Sequence, residues 1–271
     1  CLVEAEANCC LNKMYCKGGG DKTIVSIISP SYNSKETILA TYESIVAQSV
    51  VNWEWLVTDD CSSDGTFEVL NNVAEKDPRV KVFRNKKNSG AAVSRNHSLA
   101  HADGDYIAFI DSDDLWYTQK LEKQLQFMKK KGVDFSFSAY ELIDHNGKKI
   151  GCAVDTFQSG CFSYEDMLKK KATLGCSTVM LRRAAFDEIS MPLLRTGQDY
   201  ALWLKLLKTG KYAYVLSEVL AQYRIRPGSI SRNKFKKAKR QWQIYREIEA
   251  LSLSKSMVCF FFYAWRATFR K

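Results

Sequence analysis

Four short apolar runs, with helix-like segments between them, constrain the fold of this chain more than any other sequence feature. Each run has the length and composition of a buried strand. The predicted strands cover residues 24–29, 53–58, 80–83 and 106–110, and the intervening helices cover about 34–48, 66–75 and 91–102. Parallel neighbouring strands must be joined by crossover connections, which are usually helices. This alternation therefore predicts an α/β protein with a parallel sheet covered by helices.

The second half of the chain alternates less regularly. The apolar spacing predicts helices at about 118–130, 198–208, 233–250 and 254–269, strands at 133–139, 177–181 and 212–223, and a hairpin turn at Asn146-Gly147. We therefore divide the chain into an irregular tail (1–20), one α/β domain (21–232, with halves 21–115 and 116–232) and a C-terminal helical extension (233–271).

An acidic segment, Asp111-Ser112-Asp113-Asp114, directly follows the fourth predicted strand. Open α/β sheets place their ligand crevices at the carboxyl ends of such strands. Neighbouring carboxylates repel one another and raise each other's pKa, so a bound cation would stabilise them. Their hard oxygen atoms suit Mg²⁺ or Mn²⁺. A polar turn whose last aspartate caps the next helix explains the same residues equally well.

Candidate ligand-binding side chains also follow the first two predicted strands. Pro30 and Tyr32 follow the first strand, where a flat ring can stack on a nucleobase. Asp60 follows the second, where a carboxylate can accept hydrogen bonds from a base or a ribose, as acidic residues do in dinucleotide-binding folds. An ordinary polar turn explains each segment as well.

Small residues open the third predicted helix, within residues 89–96. Such residues let the backbone approach a ligand, and helix N-termini favour phosphate. Arg95 lies one turn into this helix. From this position the guanidinium of Arg95 can reach either a bound diphosphate or an acidic side chain on the surface.

The net positive charge is confined to residues 224–271, which include the C-terminal extension. The chain of 271 residues carries a net charge of +10, and residues 224–271 contain 13 lysines and arginines against 2 acids. With its many aromatic residues, this extension is typical of a helix on an anionic membrane, although a basic helix packed on the domain fits nearly as well. No apolar run reaches the ~20 residues of a membrane span, and no secretory signal opens the chain. We expect a cytoplasmic protein, held peripherally at the inner face of the cell membrane in the first interpretation.

Several classes of protein lack their signatures here. No GxGxxG turn follows the first predicted strand and no GxxxxGK[ST] loop is present, which disfavours a dinucleotide oxidoreductase and a P-loop NTPase. The nine cysteines lack the spacing of zinc ligands. A non-enzymatic protein that binds nucleic acid or an anionic surface would explain the basic extension, but not the acids at the strand ends.

Taken together, these segments resemble the family 2 glycosyltransferases with the GT-A fold. The resemblance runs from about residue 24 to 232 and rests on segments 25–33, 57–66, 90–96, 111–114 and 198–203. It implies a Rossmann-like, mostly parallel central sheet. Two positions depart mildly from the family pattern: Cys61 replaces a more usual glycine, and Gln198 replaces a frequent glutamate.

The resemblance implies a binding site for a nucleotide sugar. Tyr32 and Asp60, with Pro30 beside them, would hold the nucleoside. Arg95 and Arg226 are the candidates for contact with the diphosphate.

The resemblance also implies roles for the remaining acids. Asp111 and Asp113, with Ser112 between them, form the DxD pair that would bind ribose. Asp113 and Asp114 are the candidate ligands of Mg²⁺ or Mn²⁺, which would hold the diphosphate. Asp199 would be the general base.

The implied activity is inverting transfer of a sugar from a nucleotide-diphosphate sugar, in the first instance a UDP-sugar, to a hydroxyl group. Motifs at residues 241–246 and 251–252 resemble bacterial enzymes that make teichuronic acid, capsule or lipopolysaccharide sugars. The implied acceptor is a glycan or a lipid-linked sugar, and we expect no nucleic-acid partner.

Overall fold

The computed structural model describes residues 23–225 and 234–269. The strands of this part are β1 (Val25–Ser31), β2 (Trp53–Asp59), β3 (Val80–Arg84), β4 (Tyr106–Phe109), β5 (Leu115–Trp116), β6 (Phe135–Ile143), β7 (Lys149–Val154), β8 (Cys161–Phe162), β9 (Val179–Arg182) and β10 (Ala213–Arg224). The α-helices are α1 (Ile38–Val46), α2 (Thr66–Ala74), α3 (Ala91–Leu99), α4 (Lys120–Lys131), α5 (Tyr164–Leu168), α6 (Gln198–Leu207), α7 (Lys234–Gln243) and α8 (Leu253–Phe269). Every strand and helix predicted in the first half is present, with bounds shifted by a few residues.

One sheet contains all the strands of the described ranges. Its main path is β3-β2-β1-β4-β9-β6-β10-β5, with β7 paired to β6 and β8 to β10. Strands β1 to β4, β6 and β10 run in one direction, and β9 enters between β4 and β6 in the opposite direction. The mostly parallel sheet of the GT-A fold is therefore confirmed. Its strand order reverses between β1 and β4, where open α/β sheets form their ligand crevice.

The two faces of the sheet carry two separate cores, because neighbouring residues of a strand point to opposite faces. Ile27 belongs to one core and Ile28 to the other. Helices α1, α2 and α4 cover the first face, and α3, α6 and the C-terminal segment cover the second. Trp203 of α6 packs against Phe109 and Phe135, with 5.5 Å between the ring centroids in each pair.

Pro30 lies in β1 just beyond the end of its pairing with β4. The register stops at Ile28 opposite Phe109, and the Ile110 amide donates to the Ile28 carbonyl. Because backbone groups alternate sides along a strand, residue 30 also points toward β4, past its last residue. A proline at this position removes no hydrogen bond from the sheet. It marks the start of the crevice between the two strands.

The first helix begins later than predicted. Serine favours helix N-caps, so the helix predicted at about 34–48 should be capped by Ser34, but α1 starts at Ile38. Ser34 instead turns the chain: its carbonyl accepts hydrogen bonds from the amides of Thr37 and Ile38, each at 2.9 Å. The Ser34 hydroxyl lies 2.7 Å from the Ser112 hydroxyl. A tertiary contact with the acidic segment thus takes the place of the expected cap.

The C-terminal extension packs one face on the domain and leaves another exposed. The predicted helix at 233–250 is α7 followed by a π-helical turn, Ile244–Ile248. Tyr245 and Cys259 are buried in the core with α6, whereas Phe261 and Trp265 are 63% and 55% exposed. Within the described ranges, no helix has both the length and the hydropathy needed to cross a bilayer.

Candidate active site

Arg95 and Asp111 form an ion pair where β4 ends. Arg95 is 3% exposed, and its Nη2 donates to Asp111 Oδ1. Burial opposes the charge of Arg95, but the nearby Asp111 and Asp199 carboxylates outweigh burial and raise the pKa of Arg95. Of the two partners that the sequence left open, the structure supplies an acid, and this acid belongs to the acidic segment rather than to a remote surface. Contact of Arg95 with a diphosphate stays a prediction.

Asp114 anchors the acidic segment inside the protein. Its side chain is 1% exposed, and its two carboxylate oxygens accept hydrogen bonds from the Ser177 hydroxyl at 2.5 Å and the Arg224 amide at 2.9 Å. Burial, together with the carboxylates of Asp113 and Asp111, raises the pKa of Asp114 well above its usual value. In this conformation Asp114 links β4, β10 and the turn before β9. Its predicted role as a metal ligand stays a prediction.

Two neighbouring elements hold the rest of the acidic segment. The Thr37 hydroxyl donates to the Ser112 carbonyl at 2.9 Å, and Arg224 Nε donates to the Asp113 carbonyl at 2.7 Å. Ser112 is buried, whereas Asp111 and Asp113 are partly exposed. The turn before α1 and the end of β10 thus fix the backbone, and two of the three carboxylates remain accessible at the sheet edge.

Asp60 organises the loop before α3. Its carboxylate accepts hydrogen bonds from the amides of Ser89 and Gly90, at 2.8 and 2.7 Å, and from Asn85 Nδ2 at 2.8 Å. Gly90 has φ of 95°, a conformation that favours glycine. Asp60 therefore holds this small-residue loop against the end of β2. Tyr32, at the end of β1, is 49% exposed and presents its ring to a ligand or to solvent.

Asp199 and the acidic segment share one cavity. Asp199 lies in the first turn of α6, after Gly197, whose φ of 72° turns the chain into the helix. A cavity of about 530 Å³ is lined by Asp199, Asp111 and Arg95, although these residues are far apart in the sequence. The structure thus brings together three of the predicted site residues. Arg226 lies outside the described residues, and its predicted contact with a diphosphate stays a prediction.

Sequence reasoning missed several residues of this site. Ser177 and Arg224 hold Asp114, and nothing in their local sequence indicates this role. Five further basic residues line the cavity: Lys170, Arg195, Lys236, Lys237 and Arg240. The basic excess of the C-terminal extension was the one signal for the last three, but it did not place them at the cavity.

Comparison with protein families decides the class of this chain. The model of glycosyl transferase family 2 matches residues 26–190. The chain belongs to glycosyl transferase family 2. It is therefore a glycosyltransferase, and the expected enzyme class and resemblance are confirmed. The alternative of a non-enzymatic binding protein is not favoured.

Curated members of family 2 are similar over nearly the whole chain. TuaG of Bacillus subtilis, assigned as a glycosyltransferase of teichuronic acid biosynthesis, is 46% identical over 91% of this chain and 96% of its own length. WfgD of Escherichia coli, a UDP-Glc:α-D-GlcNAc-diphosphoundecaprenol β-1,3-glucosyltransferase, is 40% identical over 83% of this chain and 86% of its own length.

Solved structures with the GT-A fold share the architecture of this family 2 member. TarS of S. aureus (residues 1–349, in complex with UDP-GlcNAc) superimposes with a TM-score of 0.71, at 22% identity, over 90% of this chain and 73% of its own. The mannosyltransferase PcManGT of Pyrobaculum calidifontis (in complex with GDP-Man and Mn²⁺) gives a TM-score of 0.65 at 16% identity, over 96% of this chain and 76% of its own. At these identities the likeness shows the fold alone.

Proposed function

We propose that this enzyme transfers a sugar, with inversion, from a nucleotide-diphosphate sugar to a hydroxyl of a lipid-linked acceptor in bacterial cell-surface polysaccharide synthesis. The observation that carries the proposal is the shared cavity of Asp111 and Asp199. Asp111 lies at the end where the nucleotide would leave, and Asp199 lies where an acceptor hydroxyl would attack. The donors and acceptors named for WfgD favour a UDP-sugar and a diphospholipid-linked sugar.

The donor would lie along the carboxyl ends of β1, β2 and β4. The exposed Tyr32 ring is available to stack on the base, with Pro30 beside it at the crevice. Asp60 would act partly through the loop that its carboxylate holds, since its oxygens already accept three hydrogen bonds. This arrangement supports a preorganised pocket for the nucleoside.

The accessible carboxylates at the end of β4 fit a divalent ion. In the described ranges, no group of three or more histidine, cysteine, aspartate or glutamate side chains could hold a metal ion. Mg²⁺ and Mn²⁺ do not require such a group, because they bind one or two carboxylates and complete their shell with water and substrate phosphate. Asp113, with Asp111 beside it, would hold the ion, which would act as a Lewis acid on the diphosphate. Asp114 is the less accessible candidate.

Asp199 would remove the proton of the acceptor hydroxyl. An unionised hydroxyl is a poor nucleophile at neutral pH, and a positioned carboxylate activates it by taking its proton. Asp199 is partly exposed and lines the cavity, so it can reach a bound acceptor. Attack from the side opposite the leaving diphosphate inverts the anomeric carbon. Arg95 would hold the Asp111 carboxylate in place during this step.

The exposed face of α8 supports peripheral binding to the inner face of the cell membrane. Leu253, Met257, Phe261 and Trp265 recur every four residues and are 55–63% exposed. Such a stripe next to basic side chains is typical of helices that lie in the headgroup region of anionic membranes. An anionic membrane is thus the proposed partner of this face.

The donor and the metal can be tested together. Purified protein is incubated with a panel of UDP-, GDP- and dTDP-sugars, and the release of free nucleoside diphosphate is measured with Mg²⁺, Mn²⁺ or EDTA. We expect release from one or a few UDP-sugars, and we expect EDTA to abolish it. Release that is undiminished by EDTA would refute the metal-assisted reaction, and release from GDP-sugars alone would refute the UDP assignment.

A further inference from the structure

The cavity that contains Asp199 has a strongly basic lining. Six basic residues line it against two acids, Asp111 and Asp199. Arg95 is paired with Asp111, and the rest of the charged lining is Asp199 and five further basic residues. These five are Lys170, Arg195, Lys236, Lys237 and Arg240. An excess of this size, concentrated in one concave site, attracts anionic ligands.

Two buried hydrogen-bond donors belong to residues of the same lining. Arg95 is 3% exposed and Gln241 is 5% exposed. Within residues 23–225 and 234–269, neither Arg95 Nε nor Gln241 Nε2 has a hydrogen-bond acceptor. Buried donors are normally satisfied. A ligand with several anionic oxygen atoms would satisfy these donors and the cations together.

The proposed nucleoside site and most of this basic lining lie at different strands along the same edge of the sheet. Tyr32 and Asp60 follow β1 and β2, on one side of β4. The cavity is lined by Tyr140 of β6 and Tyr223 of β10, on the other side of β4. The donor diphosphate is expected at the end of β4 itself. We therefore place Lys170, Lys236, Lys237 and Arg240 on the acceptor side, whereas Arg195 Nη2 donates to Asn88 Oδ1 in the loop before α3.

We propose that this basic surface binds the diphosphate group of a lipid-linked acceptor; the proposal rests on the glycosyltransferase reaction proposed above. Tyr263 of α8 lines the same cavity, so the basic surface adjoins the helix with the exposed apolar stripe. An acceptor held by its diphosphate would place its sugar near Asp199 and its lipid chain toward α8. Recognition of the acceptor thus depends on α7 and α8, and recognition of the donor on β1, β2 and β4.

The test uses two exposed lysines of α7 that line the cavity and a third that does not. Calorimetry measures binding of geranyl diphosphate and of UDP, separately, to the wild type, to Lys236→Gln/Lys237→Gln and to Lys239→Gln. Lys239 is exposed on the same helix but is not part of the cavity lining. Loss of two charge-assisted contacts should weaken geranyl diphosphate binding about tenfold or more. UDP binding should be unchanged, and Lys239→Gln should alter neither ligand.

The outcomes separate the two sources of a diphosphate. Equal weakening of UDP and geranyl diphosphate would assign the cations to the donor and overturn the inference. The inference would also be overturned if the double substitution left geranyl diphosphate binding unchanged. It would likewise be overturned if Lys239→Gln weakened this binding equally. A wild type that binds UDP but not geranyl diphosphate would remove this inference and leave the proposed reaction intact. A wild type that binds no nucleotide or nucleotide sugar would remove the proposed reaction itself.

Discussion

At the scale of single residues, Asp199 offers the sharpest separation of binding from chemistry. Asp199→Asn keeps the shape of the side chain but removes its capacity to accept a proton. We expect transfer to fall by about 10²- to 10⁴-fold, the usual contribution of a general base. Binding of the nucleotide sugar should persist, because the proposed nucleoside site lies at the ends of β1 and β2 and not at Asp199. Single-turnover transfer and calorimetric binding measure the two properties.

An exposed acid near the same helix provides the control for this substitution. Asp187 is exposed and does not line the cavity. Asp187→Asn should leave transfer unchanged within about twofold, as surface substitutions away from a site usually do. Transfer by Asp199→Asn at a rate close to that of this control would exclude Asp199 as the base.

Lys120 gives a stability prediction that is independent of the active site. It is 0% exposed, its Nζ lies 3.8 Å from the centroid of the Trp116 ring, and Nζ has no hydrogen-bond partner in the described part of the chain. Burial lowers the pKa of Lys120 well below its usual value of 10.5. The unfolded chain therefore binds more protons than the folded chain between the lowered pKa of Lys120 and pH 10.5. The free energy of unfolding should rise as the pH rises toward that value.

Replacing this lysine with an apolar side chain isolates its contribution. Lys120→Met should stabilise the protein at pH 7 by about 1–4 kcal/mol, as replacement of buried ionisable side chains by apolar ones often does. The difference from the wild type should shrink as the pH approaches 10.5. Urea unfolding of both proteins at pH 7, 8.5 and 9.5 measures this difference. A difference in the free energy of unfolding that does not change with pH would contradict the lowered pKa of Lys120.

At the scale of helices and strands, α8 is the element whose role is most open to a direct test. Met257→Ser/Phe261→Ser/Trp265→Ser removes three of the four side chains of the exposed stripe and keeps the packed face with Cys259. Loss of three large apolar side chains should reduce sedimentation with phosphatidylglycerol vesicles by about tenfold or more. Phe157 is fully exposed elsewhere, so Phe157→Ser is the matched control. Unchanged vesicle binding by the triple variant would assign α8 a packing role only.

The sequence predicted those elements whose apolar patterns are strong. Strands β1 to β4 are short apolar runs, so their positions and the acids at their ends could be read directly. Strand β7, Lys149–Val154, is mostly exposed and has no such run, and the Asn146-Gly147 turn predicted the hairpin with β6 instead. The orientation of β9 could not be predicted, because strand pairing in the sheet centre depends on distant partners.

Candidate site residues could be predicted where they directly follow one strand. They could not be predicted where distant segments of the chain meet. Asp111 and Asp113 follow an apolar run, and this position led to their prediction as ligand-binding residues. Ser177 and Arg224 meet Asp114 only through folding of the second half of the sheet. The structure adds these partners and shows that Asp114 is buried.

At the scale of the whole molecule, the sheet joins the two predicted halves of the domain. β9, from the second half, pairs with β4 of the first and β6 of the second. The halves 21–115 and 116–232 should therefore unfold together. We expect a single calorimetric transition that shifts upward as a whole when UDP is added. Two separate transitions, with UDP shifting one of them, would show that the halves are independent units.

The shared cavity also has a consequence for the order of events during synthesis. Its walls come from Arg95 and Asp111 near the middle of the chain, Asp199 beyond them, and Tyr263 near the end. Strands β1 to β4 leave the ribosome first and can begin to fold while the rest is being made. The cavity, however, gains its last wall only after Tyr263 has emerged. A nascent enzyme could thus fold its proposed nucleotide-binding half early and still become competent for transfer only once Tyr263 has been added.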